Sequence, residues 1–359
     1  MDMSTIERFA SQQDREVPLV EKETPWGSVH YLYGRATDRV ESESSNQDFL
    51  AFRYDHRRLV FAVCDGVSQS WDSKIAAKEV AQDLTSWLWR TGLSANEEGV
   101  REQVEWRLSE IVQPMVNRQA ESVPIPPFDP DDVILDVLTR WKEKIGSETI
   151  FFAGKVVFDP DRQDDYVTLF WMGNTKGLIH QNGRWVDVAG GEWSDKNRFS
   201  SKRGLRGKIS VWTGPLEGID RILVHTDGLE IADQLIAQEN ASAPAIEQAS
   251  DKLKTTSAWR HDDVALLDLS FHSEPIVARE PVPIKEPAPE VVAARDKMAG
   301  VAEIGILVQV ALATAVNLAT LITLLVTSVL PTIVELSTFL FLLLFVVWLA
   351  KSSYQLWNR

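Results

Sequence analysis

Apolar residues recur along this chain with two different periods, and the changes of period mark its elements. Leu59-Val60-Phe61-Ala62-Val63-Cys64 is apolar at every position and stops at Asp65-Gly66. A run of that kind is a strand buried on both faces, here delivering a carboxylate at its open end. Upstream, aromatic and β-branched residues between turn formers predict strands over Ser28–Arg35 and Phe49–Tyr54, with the polar stretch Thr37–Ser45 between them. Short connections let these early strands pair antiparallel. Met1–Thr24 is polar and charged and reads as a flexible leader.

The spacing then becomes helical. Ile75, Ala76, Val80, Leu84, Trp87 and Leu88 predict a helix over Ser73–Trp89 with Asp72 as its N-cap. Val100, Val104, Leu108, Ile111 and Val112 predict a second over Asn96–Arg118, kinked or ended early by Pro114. A proline-rich loop over Val123–Pro130 precedes a helix over Asp131–Ile145. From Thr149 the period shortens again. Strands are predicted over Thr149–Phe158, Tyr166–Met172, Gly177–Gln181, Lys208–Trp212, Ile222–Thr226 and Val264–Leu269, with Asn182-Gly183 as a hairpin turn. Short helices are expected after Asp227-Gly228 and near Ala245–Lys254. This order predicts an α+β domain in which mainly antiparallel sheets pack together and helices cover them.

The C-terminal part follows another pattern. Ser273–Arg295 carries Pro275, Pro281, Pro283, Pro287 and Pro289 and reads as a semi-rigid linker. Ile304–Leu330 holds no charged residue, and Ile333–Leu349 is largely apolar apart from Glu335, with Phe339–Leu349 apolar on every helical face. The first is long enough, at about 1.5 Å per residue, to cross a hydrocarbon layer of roughly 30 Å; the second is near the lower limit. Arg295 and Lys297 before the pair and Lys351 and Arg359 after it place both flanks on the cytoplasmic side. The expected organisation is a leader (1–27), a folded domain (28–272), a linker (273–300), a transmembrane hairpin (301–350) and a short cytoplasmic tail (351–359).

Composition narrows the function. The 359 residues carry a net charge of −15, from 52 acidic against 37 basic side chains, which argues against affinity for nucleic acid through phosphate neutralisation. A single cysteine, Cys64, excludes an intrachain disulfide and a multi-cysteine zinc site, and it fits a reducing compartment. What the chain repeats is a carboxylate at the end of an apolar strand: Asp65-Gly66, Thr226-Asp227-Gly228, and His261-Asp262-Asp263 before the last strand, with Asp48 after Asn46-Gln47.

In their order these elements resemble the metal-dependent PPM family of protein phosphatases, the type 2C enzymes, over about Ser28–Phe271. The resemblance implies an α/β/β/α layered sandwich and hydrolysis of phosphoserine or phosphothreonine in a protein substrate, opposing a Ser/Thr kinase. It implies two Mg²⁺ or Mn²⁺ ions. Asp65 would bridge them, the Gly66 carbonyl would be a ligand, Asp227 and Asp262 would hold one ion and Asp48 the other; Asp65, Asp227 and Asp262 would be the catalytic set. Hard divalent ions select such oxygen ligands, and a close pair of them activates water without a protein nucleophile. With the hairpin, the setting implied is the cytoplasmic face of a bacterial inner membrane. The chain departs from the family in three places: Glu43 stands where a phosphate-binding arginine is usual, with Arg35 and Arg39 nearby; Val67-Ser68-Gln69 follows Asp65-Gly66; and Asn174 replaces an aspartate that helps bind a third cation. Those departures leave open a second class of function, a pseudophosphatase that binds phosphoproteins without turnover. The stretch Gly190–Lys208, rich in lysine and arginine, stands where the family has a variable flap beside its active site.

Overall fold

The computed structural model describes residues 6–272, apart from 43, 128–132, 159–164, 190–193, 195, 230–234, 236–241, 243, 246–247 and 249–261. The chain divides into two units, residues 1–278 and 279–359. The proline-rich linker and both apolar segments expected to form a transmembrane hairpin lie outside the described residues, as does most of the helix expected over Ala245–Lys254. Among the described residues no helix is long and apolar enough to cross a membrane.

Fourteen strands are described: β1 (Glu7–Ala10), β2 (Val17–Thr24), β3 (Gly27–Gly34), β4 (Phe49–Tyr54), β5 (Arg58–Gly66), β6 (Glu148–Val157), β7 (Tyr166–Met172), β8 (Lys176–Gln181), β9 (Arg184–Asp187), β10 (Arg198–Ser200), β11 (Gly204–Arg206), β12 (Ser210–Pro215), β13 (Ile219–His225) and β14 (Val264–Phe271). One sheet runs β1-β4-β5-β6, with β7-β12 and β10-β11 both continuing from β6. The other runs β2-β3-β14-β13-β8-β9. Every described pair is antiparallel.

The uninterrupted apolar run of β5 is explained by its place in this sandwich. Leu59, Phe61 and Val63 point between the sheets, where they meet Phe152, Ile222, Val224 and Leu267. Val60, Ala62 and Cys64 point the other way, onto the helices. Neither face sees water, so no polar position interrupts the strand. The helical layer is α2 (Ser73–Arg90) together with α3 (Glu97–Trp106) and α4 (Gln113–Ser122), which a π-helical turn at Arg107–Val112 joins. Pro114 neither ends nor breaks this pair. It lies in the first turn of α4, where a missing N–H costs little. A smaller apolar cluster of Leu32, Leu178, Leu223, Leu229, Val264 and Leu266 lies on the outer face of the second sheet.

Three sequence expectations need correction. The leader is not free: β1 and β2 add edge strands to the two sheets, and the single large apolar residue of β1, Phe9, packs on Tyr31 and Phe52 at ring-centroid distances of 4.4 and 5.2 Å. The early strands also do not all pair with one another. β3 joins β2 and β14, while β4 joins β1 and β5 in the facing sheet; the short helix α1 (Thr37–Glu41) carries the chain across. Finally, Asp72 does not cap α2. It occupies the N-cap position in a left-handed conformation, and its side chain makes no capping bond to a backbone N–H, pairing instead with Lys74. Ser147 does that work from the start of β6: its Oγ accepts from Ala76 N at 3.0 Å and donates to the Asp72 carbonyl at 2.9 Å.

β6 also holds the far end of α2. Lys155 is buried, and its ammonium donates to the Leu88 and Thr91 carbonyls at 3.0 and 2.7 Å, where a helix C-terminus favours positive charge. Helix and sheet are therefore pinned at both ends. Ser147→Ala should cost about 1–2 kcal/mol, whereas Asp72→Asn, which suits a left-handed position, should stay within about 0.5 kcal/mol. Urea unfolding of both variants checks the assignment; equal losses would return the cap to Asp72.

Candidate metal and phosphate site

Strand register brings the acidic strand ends to one rim of the sandwich. β4 and β5 pair Phe49 with Cys64, so Asp48 and Asp65 leave the first sheet side by side. β13 and β14 pair His225 with Leu266, so Asp227 and Asp262 leave the second sheet at the same end. The Asp48 and Asp65 positions continue the alternation that points Leu50 and Val63 between the sheets. The result is four carboxylates aimed into the gap where two sheets meet.

Glycine permits this convergence at two points. A Cβ on Gly66 would stand 2.6 Å from the Gln47 carbonyl, and one on Gly228 would stand 2.1 Å from the Asp263 carbonyl. Each Asp-Gly pair thus lets a neighbouring acidic loop pack directly on backbone. The loops are then fixed by hydrogen bonds. Asn46 accepts from Asp48 N at 2.7 Å and donates to the Gly34 carbonyl at 2.8 Å, and Tyr33 donates to the Asp48 carbonyl at 2.7 Å. Thr149 donates to the Asp65 carbonyl at 2.6 Å. Thr226 accepts from Ala265 N at 3.0 Å, and its hydroxyl reaches Asp48.

Asp263 holds the loops together. It is buried and accepts from Ala36 N at 2.9 Å and Gln47 N at 2.6 Å, while Arg39 Nε lies 3.1 Å from it. Sequence spacing singled out Asp262 and passed over this neighbour. Strand alternation turns Asp263, like Ala265 and Leu267, inward, and leaves Asp262 at the exposed rim. Arg39 is committed to Asp263, and Arg35 donates to the Ser44 carbonyl at 3.3 Å. Arg35 Nε is buried without a hydrogen-bond partner among the described residues, and neither arginine lines the cavity of the acidic strand ends.

Asp65, Gly66, Asp227 and Asp262 line one cavity of about 340 Å³, together with Val67, Ser68, Gln69, Ile150, Asn174 and Arg198. Asp48 stands behind it, with Oδ2 buried and without a hydrogen-bond partner among the described residues. Burial, reinforced by the other carboxylates, holds Asp48 and Asp65 well above the usual carboxylate range; at the rim, partial desolvation in the cleft and the Asp227 and Asp263 charges raise Asp262 to about 7. The neighbouring Asp48, Asp227 and Asp262 carboxylates all add to the rise at Asp65. Asn174 donates to Asp227 Oδ2 at 3.0 Å. Its amide is thereby a hydrogen-bond partner of a candidate ligand, a role an aspartate could fill only when protonated.

The donor set fits divalent cations of the Mg²⁺ and Mn²⁺ type. All donors are oxygen, the charge is unbalanced, and Asp48 Oδ2 has been taken from water with nothing in exchange. Among the described residues no three His, Cys, Asp or Glu side chains already converge on one ion position. They are drawn instead toward one another, Thr226 and Asn174.

Repulsion of this kind should be visible in stability. Asp65→Asn should melt higher than wild type in chelator by a few degrees, since relief of about 1 kcal/mol moves the midpoint by roughly 2–4 °C in a domain of this size. Saturating Mn²⁺, at about one hundred times its Kd, should stabilise wild type by about 2.7 kcal/mol and the variant by much less. Differential scanning calorimetry with and without Mn²⁺ checks this, and equal Mn²⁺ shifts would remove Asp65 from the ligand set.

A family model described as Protein phosphatase 2C matches residues 35–265. Solved structures with a similar fold include the serine/threonine phosphatase Stp1 from Staphylococcus aureus, at 10% identity over 72% of this chain and 98% of that chain, with a TM-score of 0.47. RsbX in complex with magnesium has 14% identity over 71% and 100%, with a TM-score of 0.44. The catalytic domain of the serine threonine protein phosphatase PstP, in complex with two manganese ions, has 11% identity over 70% and 97%, with a TM-score of 0.41. No curated protein is matched by sequence comparison. The family match takes in Asp48, Asp65, Asp227 and Asp262 and most of the chain, and the chain belongs to the protein phosphatase 2C family of serine/threonine phosphatases.

Proposed function

We propose that this chain removes phosphate from phosphoserine or phosphothreonine in proteins, using two divalent cations of the Mg²⁺ or Mn²⁺ type. The observation that carries the proposal is the convergence of Asp65, Asp227 and Asp262 on one cavity, with Asp48 buried behind it. Asp48, Asp65 and the Gly66 carbonyl are the set for one cation, and Asp65, Asp227 and Asp262 the set for the other. When bound, such cations supply Lewis acidity toward a phosphoryl group and lower the pKa of water.

The chain's own residues do the rest. The sheets fix the backbone at each strand end, so Asp65 and Asp227 meet the cavity at a constant spacing. Asn174 orients Asp227 through its amide. Asp263 keeps the Asp48 loop in register with Asp65 through Gln47. The cavity has one exposed carboxylate, Asp262, at its mouth, where a protein substrate enters. A second reading, phosphoprotein binding without turnover, draws on one observation: Arg39 is paired with Asp263, and neither Arg39 nor Arg35 lines the cavity.

The cytoplasmic face of a bacterial inner membrane is the proposed setting, with the apolar segments Ile304–Leu330 and Ile333–Leu349 as the anchor and the substrate of a Ser/Thr kinase as the target. Equal basic flanks support it. A reporter fused after Arg359 should be active only in the cytoplasm; activity outside would mean one span in place of two.

Asp227→Asn keeps the Asn174 contact possible but removes a charge that no neighbour replaces. The full-length variant should lose about a hundred- to a thousand-fold in Mn²⁺-dependent phosphopeptide hydrolysis, in the range seen when a preorganised electrostatic group is removed, with unfolding still cooperative. Most of the activity surviving would sink the two-cation assignment. Wild type that binds Mn²⁺ and phosphopeptide without turnover would favour the second reading.

A further inference from the structure

Glu148 opens β6 immediately beside the cavity, and its side chain is 1% exposed. A carboxylate so buried needs compensation, and it receives more than one partner. Arg198 Nη1 lies 3.4 Å from Oε2, Arg203 Nη2 lies 2.5 Å from Oε1 and Arg206 Nη1 lies 3.9 Å from Oε1. All three arginines come from the β10–β11 hairpin. One negative charge facing three guanidinium groups leaves the hairpin with an excess of two positive charges.

The three arginines are not equivalent. Arg203 and Arg206 are 37% and 41% exposed and do not line the carboxylate cavity. Arg198 is 18% exposed and does line it, opposite Asp65, Asp227 and Asp262. Among the described residues its ion-pair partner is Glu148 and not any carboxylate of the cluster. Its Nε is buried without a hydrogen-bond partner. A guanidinium has five donors in a rigid fork, and here one edge is tethered while part of the rest faces a cavity built for cations. A cation cannot use those donors, whereas a tetrahedral dianion can.

We propose that Arg198 is the phosphate-binding residue of this protein, reaching the cavity from the β10–β11 hairpin and not from the β3–β4 connection, and that Glu148 is its positioning residue. The proposal rests on the phosphatase reading and names the group that receives the phosphoryl oxygens. The ligand class is a phosphate monoester dianion and, after hydrolysis, inorganic phosphate. Charge-assisted, forked hydrogen bonds suit both. Glu148 fixes the fork by holding one Nη, so neutralising Glu148 should misplace Arg198 without removing it.

The test uses the full-length protein with Mn²⁺ and inorganic phosphate as probe, followed by calorimetric titration, alongside phosphopeptide kinetics. Arg198→Ala should weaken phosphate binding about ten- to a hundred-fold and raise KM in parallel. The Mn²⁺-induced rise in melting temperature should not change. Arg198→Lys should restore part of the affinity and not the whole, because an ammonium keeps the charge and lacks the fork. Glu148→Gln should raise KM with an intact Mn²⁺ response. Arg206→Ala, on the same hairpin but away from the cavity, should alter phosphate affinity less than two-fold. Wild-type phosphate affinity in folded Arg198→Ala or Arg198→Lys would overturn the assignment while hydrolysis by wild type left the phosphatase reading in place. An equal loss in Arg206→Ala would replace a specific contact with a general field and overturn it too. Wild type that takes up Mn²⁺ but neither binds phosphate nor hydrolyses phosphopeptide would overturn both.

Discussion

Like charge crowded into a space with little water is the constraint around which this domain is arranged. Asp48 and Asp65 are driven far from their usual ionisation by burial and by one another, and Asp262 is moved to about 7. Free side chains would move apart, so the fold must hold the backbone against them. It does so with sheet register, which puts the four strand ends on one rim, and with two Asp-Gly pairs that admit close backbone contact. It also does so with Asp263, a buried carboxylate held by two backbone amides and Arg39, which offset part of its burial. Two adjacent aspartates thus differ in placement: Asp263 ties the loops together although its charge adds to the repulsion on Asp48 and Asp262, and Asp262 lines the cavity.

Stability lost at the rim is recovered away from it. The interior between the sheets is a continuous stack of aromatic and aliphatic side chains, with Phe61, Phe152 and Trp171 layered at ring-centroid distances of 6.4 and 5.7 Å. On the other face, α2 is pinned to the sheet by Ser147 at one end and Lys155 at the other. The β5 strand therefore has a rigid wall on both sides along its length, and only its last two residues leave the core.

Much of this was legible in the residues. The strands at Phe49–Tyr54 and Tyr166–Met172 coincide with their predicted limits, because both combine dense apolar character with clear turn signals. Asp48, Asp65, Gly66, Asp227 and Asp262 stand next to strands with sharp ends, their order carries the family resemblance, and strand register brings them to one rim. What was not legible depends on contacts distant in sequence. Ser147 caps a helix from 71 residues away, so Asp72, sitting at the local N-cap position, drew the assignment. β1, β10 and β11 are three or four residues long and carry arginine, too short for a period-2 signal. Asp262 and Asp263 differ by one position, and only strand alternation separates a cavity residue from a buried clamp.

The charge balance explains why positive charge at this site comes from a hairpin of the sheet's edge. With a net charge of −15 and an acidic rim, the cavity repels a phosphate dianion until cations neutralise it, and even then it offers the substrate little to bind beyond the cations. An arginine placed among the cluster would form ion pairs with Asp65 or Asp227 and compete with the cations for them. An arginine tethered to its own buried carboxylate avoids that competition, because Glu148 satisfies one edge of the fork and keeps it a fixed distance from the cluster. Glu148 also lies one residue from Thr149, which holds the Asp65 carbonyl. The residues that hold Arg198 and the Asp65 carbonyl are thus neighbours at the start of β6.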